Sequence, residues 1–232
     1  MNSLDVNNSS LVGSTQDILA LKNKSKARLL VLSDSHGNAN IFNKIVHDFG
    51  ADCDVLVFCG DGICDLINCL ETAAGDLHFA KNIPPVVLCV RGNGDAERYV
   101  VNASFGQDDD VKPYVKRHLD ILPVATLNVA GRTAVCVHGH RHSVDFGTDA
   151  LATVAESSDA DMVFFGHTHR VCREENGATL ILNPGSCSRP RGGFPPTFAV
   201  VSLPGSTERY DAEFFEIKET LFGGISFAPF CF

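Results

Sequence analysis

No apolar run in the 232-residue sequence approaches the roughly 20 residues that a helix needs to cross a bilayer. Basic charge is in short supply: 19 Lys and Arg face 28 Asp and Glu, for a formal net charge of −9. A protein that grips nucleic acid mainly by neutralising phosphates needs the opposite balance. No segment repeats at a fixed period, which excludes a solenoid. The opening residues lack the apolar core of a secretory signal. None of the nine cysteines forms a Cys-x-x-Cys pair. An odd number of cysteines without a signal segment points to reduced thiols in a cytoplasmic protein. Cys59, Cys89 and Cys136 stand inside apolar runs, where a buried thiol acts as a small hydrophobe.

Hydrophobic residues make up 44% and charged residues 20%, enough for one domain with a sizeable core. Residues 1–26, with Asn7, Asn8, Ser9 and Ser10, read as a polar extension carrying one short helix around Ile18 to Leu21. Residues 27–232 read as the domain proper. There Leu29-Leu30-Val31-Leu32, Val55-Leu56-Val57-Phe58 and Val86-Val87-Leu88-Cys89-Val90 are continuous apolar runs, as expected of strands buried on both faces. Between them lie a helical stripe (Ile41, Phe42, Ile45, Val46, Phe49) closed by Gly50 and a weaker one (Leu66, Ile67, Leu70) ending near Gly75. This alternation predicts an α/β fold with parallel neighbours.

The second half reads differently. Residues 126–129 and 133–137 flank Ala130-Gly131-Arg132 as a hairpin, and a helix around 150–155 leads to a short strand at 162–165. Further strands at 179–182, 197–203 and 213–217 have little helix between them. A parallel half joined to an antiparallel half predicts two mixed sheets packed face to face with helices outside. The stretch around Asp108-Asp109-Asp110 is the most loop-like of the interior, and residues 221–232, with four phenylalanines and no charge, suit a sheet edge or a contact in a homo-oligomer.

The informative residues are those directly after each apolar run. The first three runs lead into Asp34 and His36, into Gly60-Asp61-Gly62, and into Gly92-Asn93-Gly94. Later runs end in His138-Gly139-His140, in Gly166-His167-Thr168-His169 and in Asn183-Pro184-Gly185-Ser186. Taken singly, an Asp here is a turn former or helix cap, an Asn between glycines is a turn, and a lone His is a surface residue. Turn chemistry has no use for histidine, yet five of the nine histidines fall directly after these runs. Ligands of α/β sheets bind outside the carboxyl ends of the strands, so the set points to one metal or catalytic site.

Imidazole and carboxylate together suit Mn, Fe, Zn or Ni better than a pure oxygen cage would. Asp61, between two glycines, is the natural residue to bridge two ions. Two cations roughly 3.5–4 Å apart hold a hydroxide between them and clamp the attacking and leaving oxygens of a phosphoryl group. They also let an acidic protein bind a phosphate ester, because the ions dominate the local field.

The six motifs occur in the order found in the calcineurin-like metallophosphoesterases, a family the chain resembles over about residues 28–217. The compact spacing and the ending Asn183-Pro-Gly-Ser-Cys-Ser-Arg-Pro-Arg-Gly-Gly193 are similar to the small phosphodiesterases of the YfcE type. The resemblance implies a four-layer α-β-β-α sandwich. It implies a first metal held by Asp34, His36, Asp61 and His169, and a second held by Asp61, Asn93, His138 and His167, with Mn²⁺ foremost and Fe, Zn, Ni or Mg as alternatives. Asn183 to Ser186 would support the site from a neighbouring turn. It further implies hydrolysis of a small-molecule phosphodiester, with nucleic acid entering only as such a substrate and no membrane partner.

One position departs from the pattern. Larger members carry His, and small ones often Cys, where this chain has Gly94, so the proton for the leaving oxygen must come from water or from His140, unless the leaving group needs none. Asp61, Asn93 and His140 are therefore the catalytic candidates. Two alternatives stand beside the diesterase: a phosphomonoesterase or protein phosphatase, and an interaction scaffold of the retromer-subunit kind. The complete set of ligand types, Asn93 included, separates the enzyme from the scaffold.

Overall fold

A computed structural model describes residues 2–6, 10–103, 115–204, 210–220 and 223–232. In chain order the first half runs β1 (Leu11–Val12), α1 (Thr15–Lys22), β2 (Ala27–Leu32), α2 (Ala39–Phe49) and β3 (Val55–Phe58). Then come α3 (Ile63–Gly75), α4 (Leu77–Ala80) and β4 (Val86–Cys89), followed by the pair β5 (Arg98–Ala103) and β6 (Val115–Asp120). The second half comprises β7 (Val124–Val129), β8 (Arg132–Val137), α5 (Asp149–Ser158), β9 (Met162–Phe164) and β10 (Val171–Asn176). It ends with β11 (Thr179–Pro184), β12 (Thr197–Leu203), β13 (Asp211–Glu219) and β14 (Ile225–Phe230).

Two large mixed sheets organise these elements. The seven-stranded sheet has the order β1-β4-β3-β2-β12-β13-β14, and the five-stranded sheet β10-β11-β9-β8-β7. β2, β3 and β4 are parallel neighbours, as are β8, β9 and β11. Because side chains alternate across a strand, every central strand serves two cores. Leu30, Leu32, Leu56 and Phe58 pack under α2 and α3. Their sequence neighbours Leu29, Val31, Val55 and Val57 face the other sheet, meeting Cys136, Met162, Phe164 and Leu182. On the far side of that sheet, Val135, Val137 and Val163 pack on Leu151 and Ala155 of α5. This is the expected four-layer α-β-β-α sandwich, and double-sided burial is why its strands read as unbroken apolar runs.

One segment differs from the sequence reading. The opening residues do carry the helix expected around Ile18 to Leu21, but they are more than an extension. β1 pairs antiparallel with β4 at the sheet edge, and Leu4, Val12 and Leu21 are buried. Asn2 is buried as well: its Nδ2 donates to the carbonyls of Val12, Pro84 and Pro85 at 3.2, 2.9 and 3.0 Å, and its Oδ1 accepts from Leu4 N at 2.7 Å. A polar side chain that satisfies backbone groups inside a fold looks like a surface residue in sequence. At the other end, β14 pairs with β13 and closes the sheet, with Phe227 against Phe49 and Phe198. The acidic loop around Asp108-Asp110 lies outside the described residues, as do Asn7, Asn8, Ser9, Leu221 and Phe222.

All nine cysteines are free thiols, and six of them are buried. Among the described residues, no helix is long and apolar enough to cross a membrane. Replacing Asn2 by Ala strips three carbonyls of their donor, and urea denaturation is expected to show a loss of about 2 kcal/mol. An unchanged midpoint would mean that the N-terminal segment contributes nothing to the sheet edge.

Candidate functional site

Three adjacent strands of each sheet end at a common rim. β2 delivers Asp34 and His36, β3 delivers Asp61, and the turn after β4 delivers Asn93. From the second sheet, β8 delivers His138 and His140, while the turn after β9 delivers His167 and His169. The backbone there is unusual. Asp34, His36, Asp61, His167 and His169 have φ of 54°, 46°, 56°, 69° and 58°. A side chain in this left-handed region costs on the order of 1 kcal/mol and persists where the surroundings enforce it, most often at functional sites. Close backbone approach is part of that enforcement. A Cβ on Gly92 would fall 2.1 Å from Asp61 Oδ1, and one on Gly60 would fall 2.6 Å from Gly92 N, so only glycines let the β3 and β4 turns meet.

Each aspartate divides its two oxygens between scaffold and site. Asp34 Oδ2 accepts from Ser33 Oγ at 2.5 Å and from His167 N at 3.1 Å, which leaves Oδ1 facing inward. Asp61 Oδ1 accepts from Gly94 N at 2.7 Å, which leaves Oδ2 facing the histidines. Asp34 is completely buried and Asp61 nearly so.

The imidazoles are divided the same way. His138 Nδ1 lies 2.7 Å from the Cys59 carbonyl, and His169 Nδ1 lies 2.5 Å from the Arg189 carbonyl. A carbonyl only accepts, so Nδ1 carries the proton in both rings, and in the neutral ring Nε2 presents a lone pair. Nε2 of His169 stands 3.3 Å from Asp34 Oδ1 and 3.0 Å from Nε2 of His36. Nε2 of His138 stands 3.9 Å from Asp34 Oδ1 and 3.5 Å from Asp61 Oδ2. Acceptor atoms of Asp34, Asp61, His138 and His169 thus converge, with His36 Nε2 at hydrogen-bond distance from His169 Nε2, an arrangement suited to a cation in the middle. Asp34 Oδ1 and His138 Nε2 are buried without a hydrogen-bond partner among the described residues, as expected of groups reserved for a metal.

Two groups of ligand atoms, each within 4.8 Å of one another, are Asp34 with His36 and His169, and Asp34 with Asp61 and His138. Asp34 is common to both, whereas the sequence reading put Asp61 at the bridge. Asp61 reaches both sides too, since its Oδ2 is 4.0 Å from His36 Nε2 as well as close to His138. Asn93 and His167 form the outer wall, with Oδ1 and Nδ1 3.0 Å apart and the His167 ring 5.3 Å from that of His138. His140 sits at the edge, its ring 5.4 Å from His138 and 6.1 Å from His167. Of Gly94, only the backbone N–H reaches the site, where it donates to Asp61 Oδ1.

The electrostatics are set by this packing. Burial alone would raise the carboxyl of Asp61, but the His138 ring, the Gly94 N–H and His36 overturn that and bring it to about 2. Burial likewise pulls His138 down, yet contact with Asp61 and the charge of Asp34 raise it above its ordinary value. A proton is drawn to His138 by the same field that would draw a cation. His36 is lowered, chiefly by burial. His140 is lowered by burial and by its neighbours His138 and Arg141.

Supporting residues complete the site. Asn183 Nδ2 donates to the Gly166 carbonyl at 2.9 Å, and Ser186 Oγ donates to the Asp34 carbonyl at 2.7 Å, so this turn props up the ligand loops as anticipated. Two carboxylates escaped the sequence reading. Asp95 accepts four backbone N–H groups, from Asp61 (2.7 Å), Gly62 (3.0 Å), Ile63 (3.0 Å) and Gly92 (2.9 Å), and so pins the β3 and β4 turns together. Asp65 accepts from Ser35 Oγ at 2.5 Å and Gly37 N at 2.9 Å, fixing the loop that carries His36. The only sequence signal for Asp95 was its place in the Asn93 turn, two residues before the chain leaves it. Asp95→Ala is expected to cost about 3 kcal/mol in urea unfolding, because it orphans donors that water reaches poorly. A loss under about 0.5 kcal/mol would rule out this bracing role.

Comparison with known proteins agrees with the geometry. The model of the calcineurin-like phosphoesterase superfamily domain matches residues 28–206. The probable metallophosphoesterase YsnB of Bacillus subtilis (strain 168) is 29% identical over 175 residues, covering 75% of this chain and 83% of that protein. The phosphodiesterase YfcE of Escherichia coli (strain K12) is 25% identical over 179 residues, covering 75% and 86%. Among solved structures, Vacuolar Protein Sorting 29 from Cryptosporidium parvum aligns with a TM-score of 0.61 at 16% identity, covering 89% of this chain and 97% of that one. A predicted phosphoesterase from Streptococcus pneumoniae TIGR4 aligns with a TM-score of 0.58 at 20% identity, covering 89% and 99%. At such identities the structures speak for the fold alone. The family match, however, runs from the first central strand to beyond β12, and the chain belongs to the calcineurin-like phosphoesterase superfamily.

Proposed function

We propose that the chain is a metal-dependent phosphodiesterase that hydrolyses a small-molecule phosphodiester with two divalent cations, Mn²⁺ foremost. The observation that carries this is the convergence of Asp34 Oδ1, Asp61 Oδ2 and the Nε2 atoms of His36, His138 and His169, of which Asp34 Oδ1 and His138 Nε2 are buried without a hydrogen-bond partner among the described residues. In this reading Asp34, His36, Asp61 and His169 hold one ion, and Asp61, Asn93, His138 and His167 hold the other. Bound there, the ions supply Lewis acidity, which offsets phosphate charge and makes water acidic enough to attack at neutral pH.

The chain's own residues do the rest. The Cys59 and Arg189 carbonyls orient His138 and His169, and Ser33 with the His167 backbone orients Asp34, so the ligand atoms are preorganised before any substrate arrives. Asn93 presents an amide at the outer wall, where it can donate to a phosphoryl oxygen as well as face the ion. His140 is assigned to the leaving group. Burial and the neighbouring His138 and Arg141 lower its pKa, which favours the neutral imidazole, and its ring N–H can donate a hydrogen bond to the departing oxygen. With Gly94 offering no side chain, esters with good leaving groups are the favoured substrates. The free thiols support a cytoplasmic setting.

Purified protein supplied with Mn²⁺ is expected to hydrolyse bis(4-nitrophenyl) phosphate faster than the corresponding monoester. Asp61→Ala or removal of metal with EDTA is expected to abolish that turnover. Metal-loaded protein inert towards every activated ester would overturn the enzymatic reading, and a faster monoester would replace it with a phosphomonoesterase. His140→Ala is expected to slow an alkyl diester by about 10²-fold while changing the 4-nitrophenyl ester by less than about tenfold. Equal slowing of both would remove His140 from the leaving group's side.

A second reading draws on the likeness in fold to Vacuolar Protein Sorting 29: an interaction scaffold. The gathering of Asp34, His36, Asp61, His138 and His169 into two groups of ligand atoms weighs against it. Absence of metal by elemental analysis, together with a stoichiometric partner, would favour it.

A further inference from the structure

A cavity of about 380 Å³ adjoins the histidines, lined in part by Asp145, Thr148, Thr168, Arg170, Glu174 and Arg191. Its size lies within the usual range for small-ligand sites. It begins where the cage ends. Thr168 separates His167 from His169, and the Arg191 N–H donates to the His169 carbonyl at 3.0 Å. Asp145 Oδ2 stands 3.4 Å from His167 Nε2, so one wall of the cavity is also the back of that ring.

The charges of this cavity are unevenly spent. Asp145 faces His167. Glu174 takes the Thr148 hydroxyl and the Cys172 thiol, the latter at 3.5 Å. Arg173, the nearest other cation on β10, is paired with Glu175 at 3.6 Å. Arg170 and Arg191 make no ion pair among the described residues, although both acidic side chains of the cavity are at hand. Arg170 packs against Gly192, where a Cβ would come 3.0 Å from its Nε, and both Arg170 and Arg191 are exposed. In a chain of net charge −9, two uncompensated arginines beside the proposed catalytic centre are out of keeping with their surroundings. Guanidinium groups match the oxygens of phosphate bidentately and stay charged at any working pH.

Resting on the diesterase reading, we propose that the substrate carries a second phosphate, a monoester apart from the scissile diester, and that Arg170 and Arg191 bind it in this cavity. Diester cleavage takes place at the cage while the second phosphate anchors one of the two alcohol components. The arginines thereby set which diesters are accepted, and a plain diester is a poor substrate for lack of that anchor.

A matched pair of probes tests this: thymidine 5′-(4-nitrophenyl phosphate), and the same compound bearing a 3′-phosphate. With Mn²⁺, the native protein is expected to favour the 3′-phosphorylated probe by at least about tenfold in kcat/KM, mostly through KM. Arg170→Gln and Arg191→Gln are each expected to erase most of that preference and to leave the plain probe within about twofold. Calorimetric titration with thymidine 3′,5′-bisphosphate and thymidine 5′-monophosphate gives a readout without turnover, with the bisphosphate expected to bind at least about tenfold more tightly and the variants to lose the difference. No preference in either measurement overturns the proposal. So do variants that slow both probes alike, since the arginines would then serve the scissile phosphate. Turnover of neither probe, with the bisphosphate still preferred in an arginine-dependent way, would bring down the hydrolase reading and leave the anion site standing.

Discussion

The whole rim depends on one electrostatic constraint: lone pairs are made to face lone pairs in a place water hardly reaches. Each aspartate gives one oxygen to the scaffold and keeps the other, and each of the two most buried imidazoles gives its N–H to a backbone carbonyl. Such an arrangement is costly unless a positive charge resides at its centre, because a buried acceptor without a donor forfeits its hydration. The fold tolerates the cost because the ligands stand at the ends of strands that are buried on both faces and cannot give way. Strained φ angles at five of these residues are sustained in the same way.

The two sheets meet at this constraint as well as in the core. Asp34 belongs to the first sheet but takes a hydrogen bond from the His167 backbone of the second. His138 belongs to the second but is oriented by Cys59 of the first, and Ser186 after β11 holds the Asp34 carbonyl. Apolar contact between sheets, such as Val31 and Val57 against Phe164 and Leu182, sets their separation. The polar contacts then fix the register at which side chains from both come within a few ångströms. Site geometry is therefore a property of the sandwich and of no single loop.

Much of this was legible in the sequence, for a physical reason. Strands buried on both faces must be continuous apolar runs, and Leu29 to Leu32 or Val86 to Cys89 therefore announce themselves. Any Asp, Asn or His placed directly after such a run is delivered to a strand end, so the seven ligand candidates stood out together. Less visible were residues whose work depends on partners far along the chain. Asn2 saturates carbonyls more than eighty residues away, and Asp95 saturates N–H groups more than thirty away. β10, with the sequence Val-Cys-Arg-Glu-Glu-Asn, sits at an edge with its outer half exposed and shows neither alternation nor an apolar run. Asp34 as the residue common to both ligand groups could not be foreseen either, because sharing is decided by which oxygen the scaffold occupies.

The straddling of two layers by one cage has a mechanical consequence. Whatever rests among Asp34, Asp61 and His138 is gripped from both sheets, like a rivet through two plates, and the plates cannot slide or part without releasing it. Endurance of the folded state then becomes a function of how much of that occupant the surroundings provide.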